Sequence, residues 1–481
     1  MTESELSRNL ADIVGENFVT DKLYERKLYD HDIAPLPTEV SFIFKTVPDA
    51  VVKPRTIKEV AEVVKYAYSK NIPLVPRGAS SWGFGGTIPT QGGIVMELTK
   101  INQIISLDIG GFTVTVGAGH RWKMLLDYLE DRGFTLGAYP SSAPSSTVGG
   151  WIVTGGMGIG SLKYGPLKEI VQSVKLVTPK GEILILSKEN DQALFKSIFG
   201  SEGTLGIVVE ATIRIIPKPE VVSSQMAVFD TITAMVDAIT DVVGHPRKPF
   251  FVEILDDDYL DLERSIGEHV PDAKMVAMFV FEGKALEVQV DIEALVRTIS
   301  DRGGSMLSPE VASVRWEDRF YPMKIRKAGP TLLAGEITHP LSSLVYVIDE
   351  IQSIKERHGL KLGIKGLMVD AATVLSMPMY LTDERKRWKF MSILPVVNEI
   401  TLVGLKAGGR PYGFGIWNTF YFRDVHGEEK VREMKELKRT LDPRDIMNPG
   451  KMYQIKTRYG IPLWGTLYRV MTFFLGAMRY F

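Results

Sequence analysis

Apolar and polar positions along this chain follow two textures, and the change between them falls near residue 217. From Ala50 a short apolar run predicts a strand. Thr56 then stands where a helix N-cap is expected, with Glu59 three residues on, and Val60, Val63, Val64 and Ala67 recur at helical spacing. A second strand is predicted over 72–76, so strand, helix and strand form a unit of the kind that pairs parallel strands. Short β-like runs follow at 94–98, 104–108 and 112–119, then a helix over 122–133. Strands are predicted at 171–179 and 182–187, around a turn at Lys180-Gly181, and again at 207–219.

Beyond 217 glycines thin out and longer helices alternate with strands, as in 273–283 and 342–359, which predicts a second α+β domain. The expected organisation is a helical lead-in over 1–45, a first domain over 46–217, a second over 218–435, a turn-rich return segment over 436–455 and a separate tail over 456–481. With 481 residues the chain is long enough for two or three domains and a large core. Its formal net charge of −1 gives no electrostatic footprint for nucleic acid, and no nucleic-acid partner is expected. The absence of cysteine rules out disulfides, cysteine-ligated iron–sulfur clusters, catalytic thiols and cysteinyl links to a cofactor. The first ten residues lack a basic region followed by an apolar one, so no secretory signal is read and a cytoplasmic setting is expected.

Much of the glycine falls in three stretches. The first is Pro76-Arg77-Gly78-Ala79-Ser80-Ser81-Trp82-Gly83-Phe84-Gly85-Gly86. Small residues let backbone N–H groups approach a ligand closely, so such a loop makes a concavity suited to phosphate. The second runs over 140–160, with Ser146, Thr147, Gly149, Gly150, Thr154 and Gly160. Its glycines do not fall in the spacing of a Rossmann fingerprint or of a Walker A loop. The third, 198–211, holds Gly203 and Gly206 and opens directly into an apolar strand.

In their order and spacing the three loops resemble the FAD-linked oxidases of the vanillyl-alcohol oxidase and p-cresol methylhydroxylase type. Over 50–217 the glycolate oxidase/D-lactate dehydrogenase branch is nearest, and 441–451 (LDPRDIMNPGK) resembles the closing motif of that family. The resemblance implies an α+β protein: a two-subdomain FAD-binding domain of the p-cresol methylhydroxylase type, carrying an α+β substrate or cap domain. It implies that Pro76, Arg77, Gly78, Ala79, Ser80 and Ser81 hold the pyrophosphate. Ser146, Thr147, Gly149, Gly150 and Thr154 would line the flavin and its ribityl chain, and Gly160 would permit a close backbone approach. Gly203, Gly206, Ile207 and Val208 would meet the adenine or isoalloxazine, with Asn448 and Lys451 at the outer flavin edge. Relatives with covalent flavin carry a histidine in the first loop, where this chain has Ser80 and Ser81. Non-covalent FAD is therefore expected, with His120 structural.

On the substrate side the chain departs from that branch, which places metal-binding histidines in the second domain. The matching stretches, 366–375 and 408–419, contain none, and no metal is expected. Arg410, Tyr412 and Asn418 are the candidate catalytic residues, with Trp417 as a wall: an arginine to hold a carboxylate or phosphate and a tyrosine for proton transfer. The segment 316–326, with Trp316, Arg319, Lys324 and Arg326, faintly resembles alkylglycerone-phosphate synthases but reads more simply as a solvated charged helix. His339 reads as a core histidine.

The tail, 456–481, has four basic and no acidic residues, and from Pro462 a wide apolar face. Arg469 interrupts it, so it falls short of the ~20 apolar residues of a membrane span. It is expected to lie on a membrane surface, at the inner face of the cell membrane, or on a partner. The function expected is oxidation of a small organic substrate, a hydroxy acid or other alcohol, with electrons passed to a separate protein or quinone. The alternatives are a relay or structural flavoprotein subunit of a membrane-associated complex, and an alkylglycerone-phosphate-synthase-like transferase.

Overall fold

The computed structural model describes residues 3–463 and 465, apart from 35, 37, 38 and 321. The tail beyond 465 lies outside the described residues, and so does the amphipathic helix expected there.

Three sheets organise the chain. The first has four strands, and its βαβ unit is built as the pattern predicts: strand Ala50–Val52, helix Ile57–Lys70 and strand Leu74–Arg77. Thr56 caps the helix by accepting from the Glu59 N–H, and the Glu59 carboxylate reaches back to the Arg55 N–H at 2.6 Å. The two strands are parallel but do not touch. Strand Ile94–Glu97 lies between them and pairs in parallel with both. The lead-in is part of this sheet, because Val19–Thr20 pairs with Ala50–Val52. Its helix Glu3–Val14 buries Leu6, Leu10 and Val14 against the helix of the βαβ unit.

The second sheet has six strands, centred on Ile207–Pro217, which pairs on one side with Thr113–Gly117 and on the other with Val171–Val177. The third sheet has nine strands and begins at Val221. At its heart Phe251–Asp256, Leu362–Met368 and Thr373–Thr382 run antiparallel side by side. Buried side chains of the second and third sheets merge in one core cluster, from Val114 and Leu176 to Leu367 and Met379.

Candidate active site

All three glycine-rich loops border one cavity of about 460 Å³, within the usual range of small-molecule sites. The first loop leaves the C-terminal end of strand Leu74–Arg77. The second closes on helix Val148–Val153, whose N-cap Thr147 accepts from the Gly150 N–H. The third opens into strand Ile207–Pro217. Of the residues expected to hold the cofactor, Pro76 to Ser81, Ser146, Thr147, Gly149, Gly150, Thr154, Gly203, Gly206, Ile207 and Val208 all line this cavity.

The cradle suits a dinucleotide on its own chemistry. The backbone N–H groups of Gly78, Ala79, Ser80 and Ser81 have no protein acceptor among the described residues. Four free donors in sequence on a cavity wall match the needs of a pyrophosphate. Ser146 Oγ is buried on the same wall without a hydrogen-bond partner among the described residues. The glycines are needed for packing: a Cβ on Gly78 would lie 2.3 Å from Thr147 Oγ1, and one on Gly203, at φ +73°, 2.7 Å from Pro76 Cγ. The residues present therefore fit FAD. Arg77 is turned away from a phosphate role, since its guanidinium donates to the carbonyls of Tyr29 and His31 and stacks on the Tyr29 ring.

Three expected contacts fall elsewhere. Gly160 does not line the cavity; its φ of +85° and missing Cβ let the Gly137 carbonyl approach, which a Cβ would meet at 2.1 Å. Lys451 lies beneath the loops, donating to the Ile88 carbonyl at 2.6 Å, and burial pushes its pKa down to about 7. Asn448 ties the loops together: its Nδ2 donates to the Gly86 carbonyl at 2.9 Å and to the Glu202 carbonyl at 2.7 Å. The neighbouring Glu202 carboxylate accepts from the Phe414 and Gly415 N–H groups, so second-domain backbone is fastened to the same knot. Asn448→Leu is expected to strand both carbonyls, at ~1–3 kcal/mol each. FAD affinity, measured by fluorescence titration of the apoprotein, should fall at least tenfold; unchanged affinity would show that Asn448 does not hold the cradle together.

The wall opposite the cradle comes from the second domain. Tyr412 lines it, but its hydroxyl is committed to the backbone, accepting from the Met157 N–H at 2.9 Å and facing the Met157 carbonyl at 3.3 Å, while burial pushes its pKa up. The expectation of acid–base work at Tyr412 is thus replaced by one of positioning. Arg410 is exposed and off the wall, its carbonyl accepting from Thr338 Oγ1. Asn418 is buried off the wall between Thr401 Oγ1 and the Gly413 carbonyl. Trp417 does line the cavity. His339 is a buried, bonded histidine, its Nε2 2.8 Å from Ser376 Oγ. His120 is half-committed to the Arg121 carbonyl and does not border the cavity.

Glu336, in the turn between strands Thr331–Ala334 and Ile337–Pro340, had no place in the sequence reading. It lines the cavity with one hydrogen-bond donor, Trp82 Nε1 at 2.8 Å, and burial pushes its pKa up to about 7 against that bond. Nor is 316–326 a solvated helix. Trp316 packs on Phe250 and Phe251, and Arg319, Met323 and Arg326 line the cavity. Arg319 stacks on Trp316 and Phe320 and donates only to uncharged groups, Tyr139 Oη and the Trp316 carbonyl. Among the described residues neither Arg319 nor Arg326 has a carboxylate partner. Glu253 and Lys365, 2.5 Å apart, complete the wall, and Arg315 bridges Glu253 to Glu263. Burial pushes the Glu253 pKa up, but Arg315 and Lys365 outweigh it and hold the carboxyl down at about 2. A charged residue interrupting an apolar strand was the available signal for Glu253 and Lys365.

Comparison with known proteins decides the family. The FAD binding domain family matches residues 48–187, and the family of FAD linked oxidases, C-terminal domain, matches 218–452. The chain belongs to the FAD-linked oxidases. It is an FAD-linked oxidoreductase of the α+β architecture found in p-cresol methylhydroxylase. Among relatives in this family, the glycolate oxidase subunit GlcD of Bacillus subtilis (strain 168) is 28% identical, over 94% of this chain and 97% of that protein. A mitochondrial cytochrome-type D-lactate dehydrogenase of Arabidopsis thaliana is 26% identical, over 93% and 80%. The D-lactate dehydrogenase of Archaeoglobus fulgidus is 27% identical, over 84% and 90%. Among solved structures, p-cresol methylhydroxylase with substrate bound superposes with a TM-score of 0.80 at 16% identity, over 94% of this chain and 97% of that one. An alkyldihydroxyacetonephosphate synthase superposes with a TM-score of 0.75 at 21% identity, over 92% and 84%. These two likenesses concern the fold. Within the family's second domain, the stretch read as lacking metal-binding histidines forms a strand pair, with Leu367 directly opposite Leu375 on the cavity wall.

Proposed function

We propose that this FAD-linked oxidoreductase oxidises a 2-hydroxy acid to the 2-oxo acid and passes the electrons to a separate acceptor. The observation that carries the reading is the pair of arginines, Arg319 and Arg326, that line the same cavity as the cradle and have no carboxylate partner among the described residues. Arg319 is half-buried and Arg326 exposed at the cavity edge, and an arginine without a counter-ion there is a natural receptor for a substrate carboxylate. The names of the relatives, glycolate oxidase and D-lactate dehydrogenase, point to the same class.

When bound, FAD supplies the two-electron acceptor for the substrate C–H bond. The hydroxyl proton needs a base, and Glu336 is a carboxylate on the wall with no ion-pair partner among the described residues; Glu202, also on the wall, has both oxygens taken by the Phe414 and Gly415 N–H groups. Trp82 Nε1 fixes one of its oxygens, and the Tyr412 N–H, bonded to the Glu336 carbonyl at 2.9 Å, fixes its backbone. Non-covalent attachment of FAD fits the absence of cysteine and the engaged His120. With no cysteine to ligate an iron–sulfur relay, the electrons leave to a separate acceptor, such as a second protein, a quinone or oxygen. The tail's basic, apolar composition supports docking at the inner face of the cell membrane, where a quinone acceptor would be found.

Anaerobic mixing of the purified holoenzyme with glycolate, the lactates and longer 2-hydroxy acids is expected to bleach the flavin with at least one of them. A flavin that dithionite reduces but no hydroxy acid does would end this reading. The bleaching rate should rise with pH through about 7 as Glu336 ionises, and Glu336→Gln should lose that rise and about 10²-fold or more in rate. The same ionisation acts on stability with the opposite sign. Its folded pKa lies above the ordinary 4.5, so its stabilising contribution is complete below about 4.5 and is lost as pH rises through about 7.

A further inference from the structure

The floor of the substrate half of the cavity is largely apolar, with the Glu253–Lys365 ion pair set into it. On the central strands of the third sheet, Leu367 faces Leu375 across the ladder, and Met377 and Met379 follow Leu375 at two-residue steps on the same side. Phe251 and Leu332 extend that surface on neighbouring strands. All six are nearly inaccessible to bulk water, at 2–5% exposure. The charges set into this face cancel among themselves. Glu253 is held by Lys365 and Arg315, and Arg315 by Glu263, so two anions meet two cations. The floor therefore offers no free charge to a substrate, whereas the edge carrying Arg319 and Arg326 does.

We propose that the substrate is amphipathic: a carboxylate head at Arg319 and Arg326, and an apolar chain of several carbons or an aryl group lying on the Leu367–Leu375–Met377–Met379 floor. This rests on the reading of the site as a hydroxy-acid oxidase and names its substrate class. A glycolate or lactate molecule reaches the arginines but leaves the floor uncovered. A second carboxylate, a phosphate or a sugar placed there would lose its hydrogen bonds to water, while Lys365, the cation set into the floor, is already engaged by Glu253. Methionine side chains, unbranched and polarizable, let one floor take chains of differing shape.

The test is binding of product analogues to the holoenzyme, followed by perturbation of the visible flavin spectrum. The series is pyruvate, 2-oxobutyrate, 2-oxohexanoate and 2-oxooctanoate, with 2-oxoglutarate as the polar counterpart. Each buried methylene should tighten binding by about fourfold, so 2-oxooctanoate, longer by five carbons, should bind roughly 1,000-fold more tightly than pyruvate if its whole chain is buried. 2-Oxoglutarate should bind more weakly than 2-oxohexanoate. In Met377→Gln, and independently in Met379→Gln, the ratio of 2-oxooctanoate to pyruvate affinity should shrink by about tenfold. Equal affinities along the series, tighter binding of pyruvate, or no binding by any member overturns the proposal, and the wild-type series decides it even if both variants misfold. Chain-length-dependent binding without bleaching by any hydroxy acid would uphold the amphipathic site and reject the oxidation reading. Bleaching by lactate with no chain-length gain would do the reverse.

Discussion

Gly78→Val is expected to yield a folded but colourless protein, with FAD affinity reduced at least 100-fold. Even the first carbon of a side chain at Gly78 would sit 2.3 Å from Thr147 Oγ1, a separation that no pair of non-bonded atoms tolerates. Thr147 cannot yield freely, because its hydroxyl caps helix Val148–Val153 and its carbonyl accepts from Trp122 Nε1. The first loop must move instead, and it carries the row of free N–H groups from Gly78 to Ser81. Hydrogen bonds to a charged partner contribute ~1.5–3 kcal/mol each, so misplacing two accounts for a factor of about 100 or more. Gly244→Ala is the control, since a Cβ there has no neighbour within 4 Å among the described residues, and it should stay yellow. Stoichiometric FAD in Gly78→Val would refute the assignment of this loop to the pyrophosphate.

Glu253→Leu should produce the largest loss of stability, about 3–5 kcal/mol. Glu253 is 2% exposed and is the counter-ion of Lys365, whose side chain is 6% exposed. Removing one partner of a buried pair leaves the other desolvated and uncompensated, which costs far more than the intact pair contributes. Arg315 keeps Glu263 at 2.5 Å, so Lys365 bears most of the penalty. The double variant Glu253→Leu/Lys365→Met should recover most of the loss, because it leaves apolar contacts where the charges were. Thermal melts of the four proteins in the cycle measure this. Additive losses in the double variant would mean that the two residues act separately, contrary to the geometry.

These two sites differ in how far they can be read from sequence. At the cradle, each loop announces itself within about ten consecutive residues, since backbone that must approach a ligand or turn left-handed needs glycine wherever it lies in the chain. The distance between the loops in sequence does not obscure that signal. Asn448 and Lys451 carried the right neighbourhood but the wrong task. A polar residue in a closing segment can face a ligand or clamp loops together, and only the positions of the Gly86 and Glu202 carbonyls distinguish the two.

The far wall shows the opposite case. Arg319 reads as a surface charge in its local sequence, and becomes a cavity residue because Trp316 and Phe320 stack on it and Tyr139, 180 residues away, receives its hydrogen bond. Glu253 and Lys365 are oddities in apolar strands until the antiparallel register of the third sheet brings them side by side. Arg410 and Tyr412 sit two residues apart, yet one faces solvent and the other the cavity.

The sequence by itself determined the flavin cradle, the βαβ unit and the change of domain near residue 217, because glycine placement and hydrophobic period are local requirements of backbone geometry. Only the tertiary structure decided which charges remain unpaired and which apolar side chains face the cavity. Charge compensation and cavity lining are properties of neighbours in space, and here those neighbours come from strands far apart in the chain.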